Sequence, residues 1–187
     1  MKQYIKPTKQ EWSLLCERSK IKKAELDNAV ISILKDIELN KDEALYRYTE
    51  LLDNVAVKEL QVSQIEINEA NNLVEESLKS AIQLAKNNIE VFHKSGKETS
   101  KVIETTKGVE CWRKSVGIEK VGLYIPGGSA PLFSTILMLG VPAKIAGCKE
   151  IILCTPPNRE GKINPAILYT ASLVGITKIF KVGGAQA

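Results

Sequence analysis

The chain has 187 residues, enough for one ordinary domain or two small ones with a buried core. Its composition, 44% hydrophobic and 26% charged, is that of a globular protein. The net charge of +4 is mild, and lysines are scattered among glutamates, which gives no case for nucleic-acid binding.

Neither a secretory signal nor a membrane span is predicted. Residues 1–7 lack the apolar run that a signal peptide needs. The uncharged stretch 130–143 near the middle is too short to cross a bilayer and contains two prolines. The cysteines have no CxxC spacing, so reduced thiols in a cytoplasmic protein are favoured over disulfides or a metal site: Cys16, Cys111, Cys148 and Cys154.

The composition changes near residue 120, which we interpret as a domain boundary. Residues 1–119 hold 19 basic and 20 acidic side chains, whereas residues 120–187 hold 7 basic and 2 acidic ones. Nine of the 12 glycines and six of the 7 prolines also follow residue 120. A charged, helix-rich region over 1–119 therefore precedes an apolar domain over 120–187 in which turns are frequent.

Helix signals fill the first region. Thr8–Glu11 and Ser63–Glu66 match the capping box, in which side chains bond free backbone amides at a helix start. Asn40 is expected to cap a helix that carries Leu45. Apolar residues recur at helical spacing and predict buried faces: Leu26, Val30, Ile33 and Ile37 in one segment, and Val74, Leu78, Ala81, Ala85, Ile89 and Phe92 in one helix over 67–92.

The end of this region predicts a helix stop and a hairpin. Gly96 is expected to end the helix, with His93 in the last turn. There, His93 is better interpreted as a cation stabilised by the helix dipole than as a catalytic base. Residues 102–106 and 109–116 alternate on either side of Lys107-Gly108 like the strands of a small β-hairpin.

The second region predicts three short strands alternating with two helices. The strands are 121–125, 151–154 and 176–182. Ser129 is expected to cap the first helix, which Gly147 ends; Asn164 and Pro165 begin the second, which Gly175 ends. This alternation implies a parallel sheet covered on both faces. The predicted fold class is α/β, a helical N-terminal region followed by an incomplete Rossmann-like parallel βαβαβ unit.

Two glycine turns, Pro126–Ser129 and Gly183–Gln186, lie where ligands bind in open parallel sheets, beyond the carboxyl ends of strands. Glycine lets a ligand approach the backbone, but neither turn has G-x-G-x-x-G or P-loop spacing. A nucleotide site and plain tight turns are equally favoured. Tyr124 can stack on a ligand or pack in the core. Gln186 can hydrogen-bond a cofactor or cap the next helix.

Catalytic groups are not visible in these residues. Four separated cysteines and one histidine do not offer the ligand spacing of a zinc site. No nucleophile–base pair or carboxylate pair stands out. We therefore assign no catalytic residue and no metal ligand to this sequence.

The apolar region nevertheless carries a long recognisable pattern. Residues 121–131, Val-Gly-Leu-Tyr-Ile-Pro-Gly-Gly-Ser-Ala-Pro, and 134–147, Ser-Thr-Ile-Leu-Met-Leu-Gly-Val-Pro-Ala-Lys-Ile-Ala-Gly, closely resemble the signature region of the histidinol dehydrogenases. Pro156-Pro157 with Gly161, and the terminal Gly-Gly-Ala-Gln-Ala of 183–187, resemble it too. Residues 42–45 with 48–49, and residues 92–93, look like the family's N-terminal helical region. By this resemblance the chain is the N-terminal part of such an enzyme.

The resemblance implies an activity. The family oxidises L-histidinol to L-histidine through the aldehyde, the last step of histidine biosynthesis, with NAD and zinc as cofactors, and works as a cytoplasmic homodimer. Tyr124 and Gln186 match family positions that contact NAD, which makes 120–187 an incomplete NAD-binding domain. The zinc ligands and the catalytic Glu-His pair lie further along the family's chains, so this chain alone is expected to be inactive. The alternatives are a family member acting on another small alcohol and a non-catalytic fragment.

Overall fold

The computed structural model describes residues 4–17, 23–97, 100–128, 130–176 and 178–187. Its helices are α1 (Lys9–Leu15), α2 (Lys23–Asp53), α3 (Gln64–Leu73), α4 (Glu76–Ser95), α5 (Phe133–Ala146) and α6 (Pro165–Leu173). Its strands are β1 (Ile103–Thr106), β2 (Val109–Cys111), β3 (Lys120–Tyr124), β4 (Glu150–Thr155) and β5 (Lys178–Lys181), and a short 3-10 turn follows at Gly184–Gln186. This order confirms the α/β class, with helices first and a βαβαβ unit after them.

Several helices begin and end at the residues that the sequence predicts. Thr8 starts α1 with its capping box. At α3, the Ser63 amide donates to Glu66 Oε2 at 2.9 Å, and the Glu66 amide donates to Ser63 Oγ at 3.2 Å. The Asn164 side chain accepts from the second residue of α6, and Gly147 ends α5 in the left-handed conformation, φ 86°. Local capping chemistry therefore sets these boundaries.

Three helix predictions need correction. Helix α2 is broken at Lys41, where φ is 50° and ψ is −130°, and the Asn40 side chain donates to Asp36 instead of capping. The segment 67–92 is two helices, because Val74 is extended and lets α3 and α4 pack against different neighbours. Leu26 is 59% exposed, so its face is not buried there. Ser129 lies outside the described residues.

Strands β3, β4 and β5 form a parallel sheet in that order. Along this order, each helix connects one strand to the next strand on the same side. Because such connections are right-handed, α5 and α6 lie on the same face of the sheet, where they pack against each other. The strand residues beneath them are buried, as at Ile151, Leu153 and Ile179. The opposite face is only half-buried among the described residues. The prediction that both faces are covered is therefore wrong for this part of the chain.

The first region packs onto the βαβαβ unit through a shared core. Helix α4 packs against α5, and α3 against α6. The segment before α3 also bonds along the outer edge of β5, where the Lys181 amide donates to the Leu60 carbonyl at 2.7 Å. One apolar cluster includes Val62, Ile67 and Ile82 together with buried residues beyond residue 120. The division at residue 120 stays a prediction, and the core runs across it.

The predicted hairpin forms between β1 and β2, with Glu104 opposite Glu110. Gly108, at its turn, has φ 83°, which glycine adopts without steric cost. Every residue of both strands is exposed, so the hairpin adds nothing to the buried core.

The structure gives the state of the cysteines and the character of the helices, which concern the predictions on disulfides and on membrane crossing. All four cysteines are free, and Cys148 is part of the buried cluster. None of the helices in the described ranges combines the length and the apolarity that crossing a bilayer requires.

Candidate functional site

The half-buried face of the sheet carries a row of side chains at its carboxyl end. Tyr124, Cys154 and Phe180 are direct neighbours across β3, β4 and β5, and neighbours in register share a face. Tyr124 is 41% exposed in this chain, so it lies outside the buried core of the described residues. The row therefore has an accessible aromatic group at one end.

The turn after β5 reaches this row. The Gly184 amide donates to Tyr124 Oη at 3.1 Å. Gly184 has φ 63°, which favours glycine, and a Cβ there would lie 2.5 Å from Gln186 Oε1, so a larger residue would displace the Gln186 side chain. Tyr124 and the Gln186 side chain thus contact the same residue, and the structure brings the two predicted cofactor residues together.

Gln186 is the most unusual polar residue of this cluster. It is 6% exposed, yet neither its Oε1 nor its Nε2 has a hydrogen-bond partner among the described residues. Leaving a buried polar group unpaired costs about 1–3 kcal/mol, so such groups are rare. Gln186 lines a cavity of about 300 Å³ together with Cys154, Phe180 and residues of α2. Its carboxamide has a free donor and a free acceptor, but both atoms are buried, so a molecule in the cavity can bond them only after the side chain turns.

The two glycine turns meet at Pro156, beside a second cavity. A Cβ on Gly127 would lie 2.6 Å from Pro156 Cγ, and one on Gly183 would lie 2.6 Å from Pro156 Cβ. Close packing therefore accounts for both glycines. Gly128 has open space around it and lines a cleft of about 410 Å³ that α3 and the start of α6 border. It is the glycine of this turn that leaves room for a ligand.

Two titratable groups near the candidate site, Glu66 and Cys154, are poorly suited to act as a base or a nucleophile. Lys181 Nζ, on a side chain only 9% exposed, lies 2.7 Å from Glu66 Oε1. Burial alone would raise the pKa of Glu66, but bonds from Lys181 and Ser63 outweigh it and lower that pKa, so the carboxylate stays charged and paired. Burial raises the pKa of the Cys154 thiol, which keeps it neutral.

A metal centre does not assemble within the described ranges. They contain no group of three or more histidine, cysteine, aspartate or glutamate side chains placed to hold an ion. His93 lies in the last turn of α4, as predicted, with its ring edge-on to Phe92 at a centroid distance of 5.4 Å.

Sequence reasoning missed two features of this site. Phe180 and Cys154 line the cavity, and only the register of three parallel strands reveals that they adjoin Tyr124. Asp53 has a buried carboxylate oxygen without a partner, and burial raises its pKa. The available signal for Asp53 was its place at the end of α2, because a carboxylate is unfavourable at a helix C-terminus.

Comparison with known proteins agrees with this architecture. The histidinol dehydrogenase family model matches residues 16–187. Histidinol dehydrogenase from Bacteroides thetaiotaomicron is 52% identical over 181 residues, covering 97% of this chain and 42% of that protein. The enzyme from Mannheimia succiniciproducens is 50% identical over 162 residues, covering 87% and 37%.

A solved structure gives the same result. The crystal structure of histidinol dehydrogenase from Elizabethkingia anophelis superposes with a TM-score of 0.91 at 54% sequence identity, covering 98% of this chain and 42% of that one. The chain thus spans about two fifths of the length of the relatives that it matches. Because the family model covers most of the sequence and the fold is the same, the chain belongs to the histidinol dehydrogenase family.

Proposed function

We propose that this chain forms the nucleotide-binding part of an NAD-dependent enzyme that oxidises L-histidinol to L-histidine through the aldehyde. Family membership supports the substrate and the reaction. The observation that carries the cofactor assignment is Gln186, a buried carboxamide with an unpaired donor and an unpaired acceptor beside Gly184, the residue whose amide donates to Tyr124 Oη. NAD offers an amide, ribose hydroxyls and flat rings, which match these groups.

Each residue has a distinct role in this proposal. NAD, when bound, supplies the hydride acceptor for the oxidation. Tyr124 provides a surface on which a flat ring stacks. Gln186 donates one hydrogen bond and accepts another, which satisfies its two orphaned atoms. Cys154 and Phe180 supply apolar surface on one side of the cavity.

We propose that the zinc ligands and the general base lie outside this chain. The part that the structure describes offers no three-residue ligand cluster, and the relatives are more than twice as long. The isolated 187-residue chain should therefore form no NADH from NAD and histidinol. We also propose that the complete enzyme is a cytoplasmic homodimer; the four free thiols suit a reducing compartment.

The test compares NAD kinetics with folding in the complete enzyme. Tyr124→Ala removes a stacking surface, and Gln186→Ala removes hydrogen bonds worth roughly 0.5–1.5 kcal/mol each, so the KM for NAD should rise by about two- to tenfold. Zinc content should not change, and the loss of stability should stay well below the roughly 3–5 kcal/mol that truncating a buried aromatic costs. Tyr4→Ala, another exposed tyrosine, is the matched control. An unchanged KM for NAD with a collapsed Tm would make these residues structural and reject the assignment.

A further inference from the structure

Asp53 carries a carboxylate whose burial the fold does not compensate. It is the last residue of α2, where the helix dipole disfavours negative charge. Its Oδ2 is buried with no hydrogen-bond partner among the described residues, and burial raises its pKa. Residues that break a packing rule without local compensation tend to mark functional sites.

The neighbour of Asp53 explains what the side chain does. A Cβ placed on Gly183 would lie 3.3 Å from each carboxylate oxygen of Asp53 and 2.6 Å from Pro156 Cβ. Asp53 and Pro156 therefore fill the space around the Gly183 Cα. Helix α2 also packs against the 3-10 turn that follows. The position of Gly183 is thus set by α2 and by the loop after β4.

The same turn connects directly to the candidate nucleotide site. Gly184, the next residue, donates to Tyr124 Oη and lies under the Gln186 side chain. A shift of Gly183 would move the Gly184 amide away from Tyr124 and change the placement of the Gln186 carboxamide. Asp53 itself does not line the cavity that contains Gln186.

We propose that Asp53 is a positioning residue for the nucleotide. By packing against Gly183, its side chain holds the Gly183–Gln186 turn so that Gln186 and Tyr124 face the ligand together. The shape of the side chain performs this role, and its charge is a cost that the fold tolerates. This inference rests on the proposed NAD site and adds to it a residue that acts through the turn.

The test uses five variants of the 187-residue chain and two readouts, NAD affinity by calorimetry and the chemical shift of the Gly184 amide. Tyr124→Phe provides the reference shift for a broken Tyr124–Gly184 bond. Asp53→Ala should move the chemical shift of the Gly184 amide toward that reference. It should also weaken NAD binding about fivefold, which is at the low end of the changes in affinity by which one site typically affects another. Asp53→Asn keeps the shape and should retain nearly normal affinity. Both changes should leave Tm near its parent value, because each removes a carboxylate that has a buried oxygen without a partner.

Asp27→Ala, an exposed aspartate on the same helix, is the control and should change neither readout. An unmoved Gly184 shift in Asp53→Ala would overturn the inference. So would unchanged NAD affinity in Asp53→Ala when Gln186→Ala weakens binding. Equal loss of affinity in Asp53→Asn and Asp53→Ala would overturn the claim that shape matters. Unchanged affinity in Gln186→Ala would instead reject the proposed NAD site, and with it the nucleotide role of Asp53.

Discussion

The ion pair between Glu66 and Lys181 joins the helical region to β5, and Glu66→Gln tests how much it stabilises the fold. The substitution leaves a Lys181 ammonium whose side chain is only 9% exposed without its counter-charge. Glutamine at this position still completes a capping box with Ser63, so the start of α3 should survive. The variant therefore removes the charge of Glu66 and little else.

The structure sets the size of the effect. Removing one partner of a buried pair costs about 3–5 kcal/mol. Because the Glu66 side chain is 30% exposed, water can reach one side of the pair, and we expect the lower value, about 3 kcal/mol. For a chain of this size, that loss lowers Tm by roughly 6–12 °C. Thermal unfolding followed by circular dichroism measures it directly.

Glu76→Gln is the matched control, since Glu76 also lies in the first turn of a helix and pairs with a lysine, Lys79, at 2.6 Å. Its side chain is 87% exposed, so the change should cost no more than about 0.5 kcal/mol. Equal Tm losses in the two variants would refute the claim that burial makes the Glu66 pair important.

The same pair predicts a dependence of stability on pH. The pKa of Glu66 is lowered in the folded chain, so its contribution is complete above the unfolded pKa of about 4.3 and is lost as the pH falls through the folded pKa. The Tm difference between the parent chain and Glu66→Gln should shrink as the pH falls below about 4. A difference that stays constant under acid would contradict the charged state assigned to Glu66.

Three further substitutions test local features. Asn164→Ala removes the cap of α6 and should cost about 1 kcal/mol in urea unfolding; no loss would mean that the cap is dispensable. Gly183→Ala places a Cβ 2.6 Å from Pro156 Cβ, so it should both lower Tm and weaken NAD binding; normal values for both would contradict the tight packing. Tyr124→Phe removes only the bond from Gly184 and should cost at most about 1 kcal/mol of stability. A much larger loss would indicate a core role.

Much of this fold follows from local signals in the sequence. Some helix boundaries depend on contacts within a few residues, as at the capping box of Ser63, the proline after Asn164 and the left-handed Gly147. Such boundaries can be predicted from the sequence alone. The break at Val74 is not, because it depends on which neighbours α3 and α4 pack against. Tertiary packing decides where such a break between two helices falls.

The candidate site shows the same limit. Tyr124 and Gln186 stand at strand ends in the sequence, but the accessibility of one and the burial of the other depend on which sheet face the helices cover. The contact of Asp53 with Gly183 joins residues 130 positions apart, and neither local spacing nor periodicity predicts it. The role of Tyr124 and Gln186 in cofactor binding stays a prediction.

The side-chain amide of Gln186 offers the most direct measurement of the central claim. Its two Nε2 protons have no partner among the described residues, and their resonances can be identified by their loss in Gln186→Ala. In a titration of the 15N-labelled chain with NAD, these resonances and the Gly184 amide should shift most, and saturably. Saturable shifts centred elsewhere, or no shifts at all, would contradict the assignment of the nucleotide site to this turn.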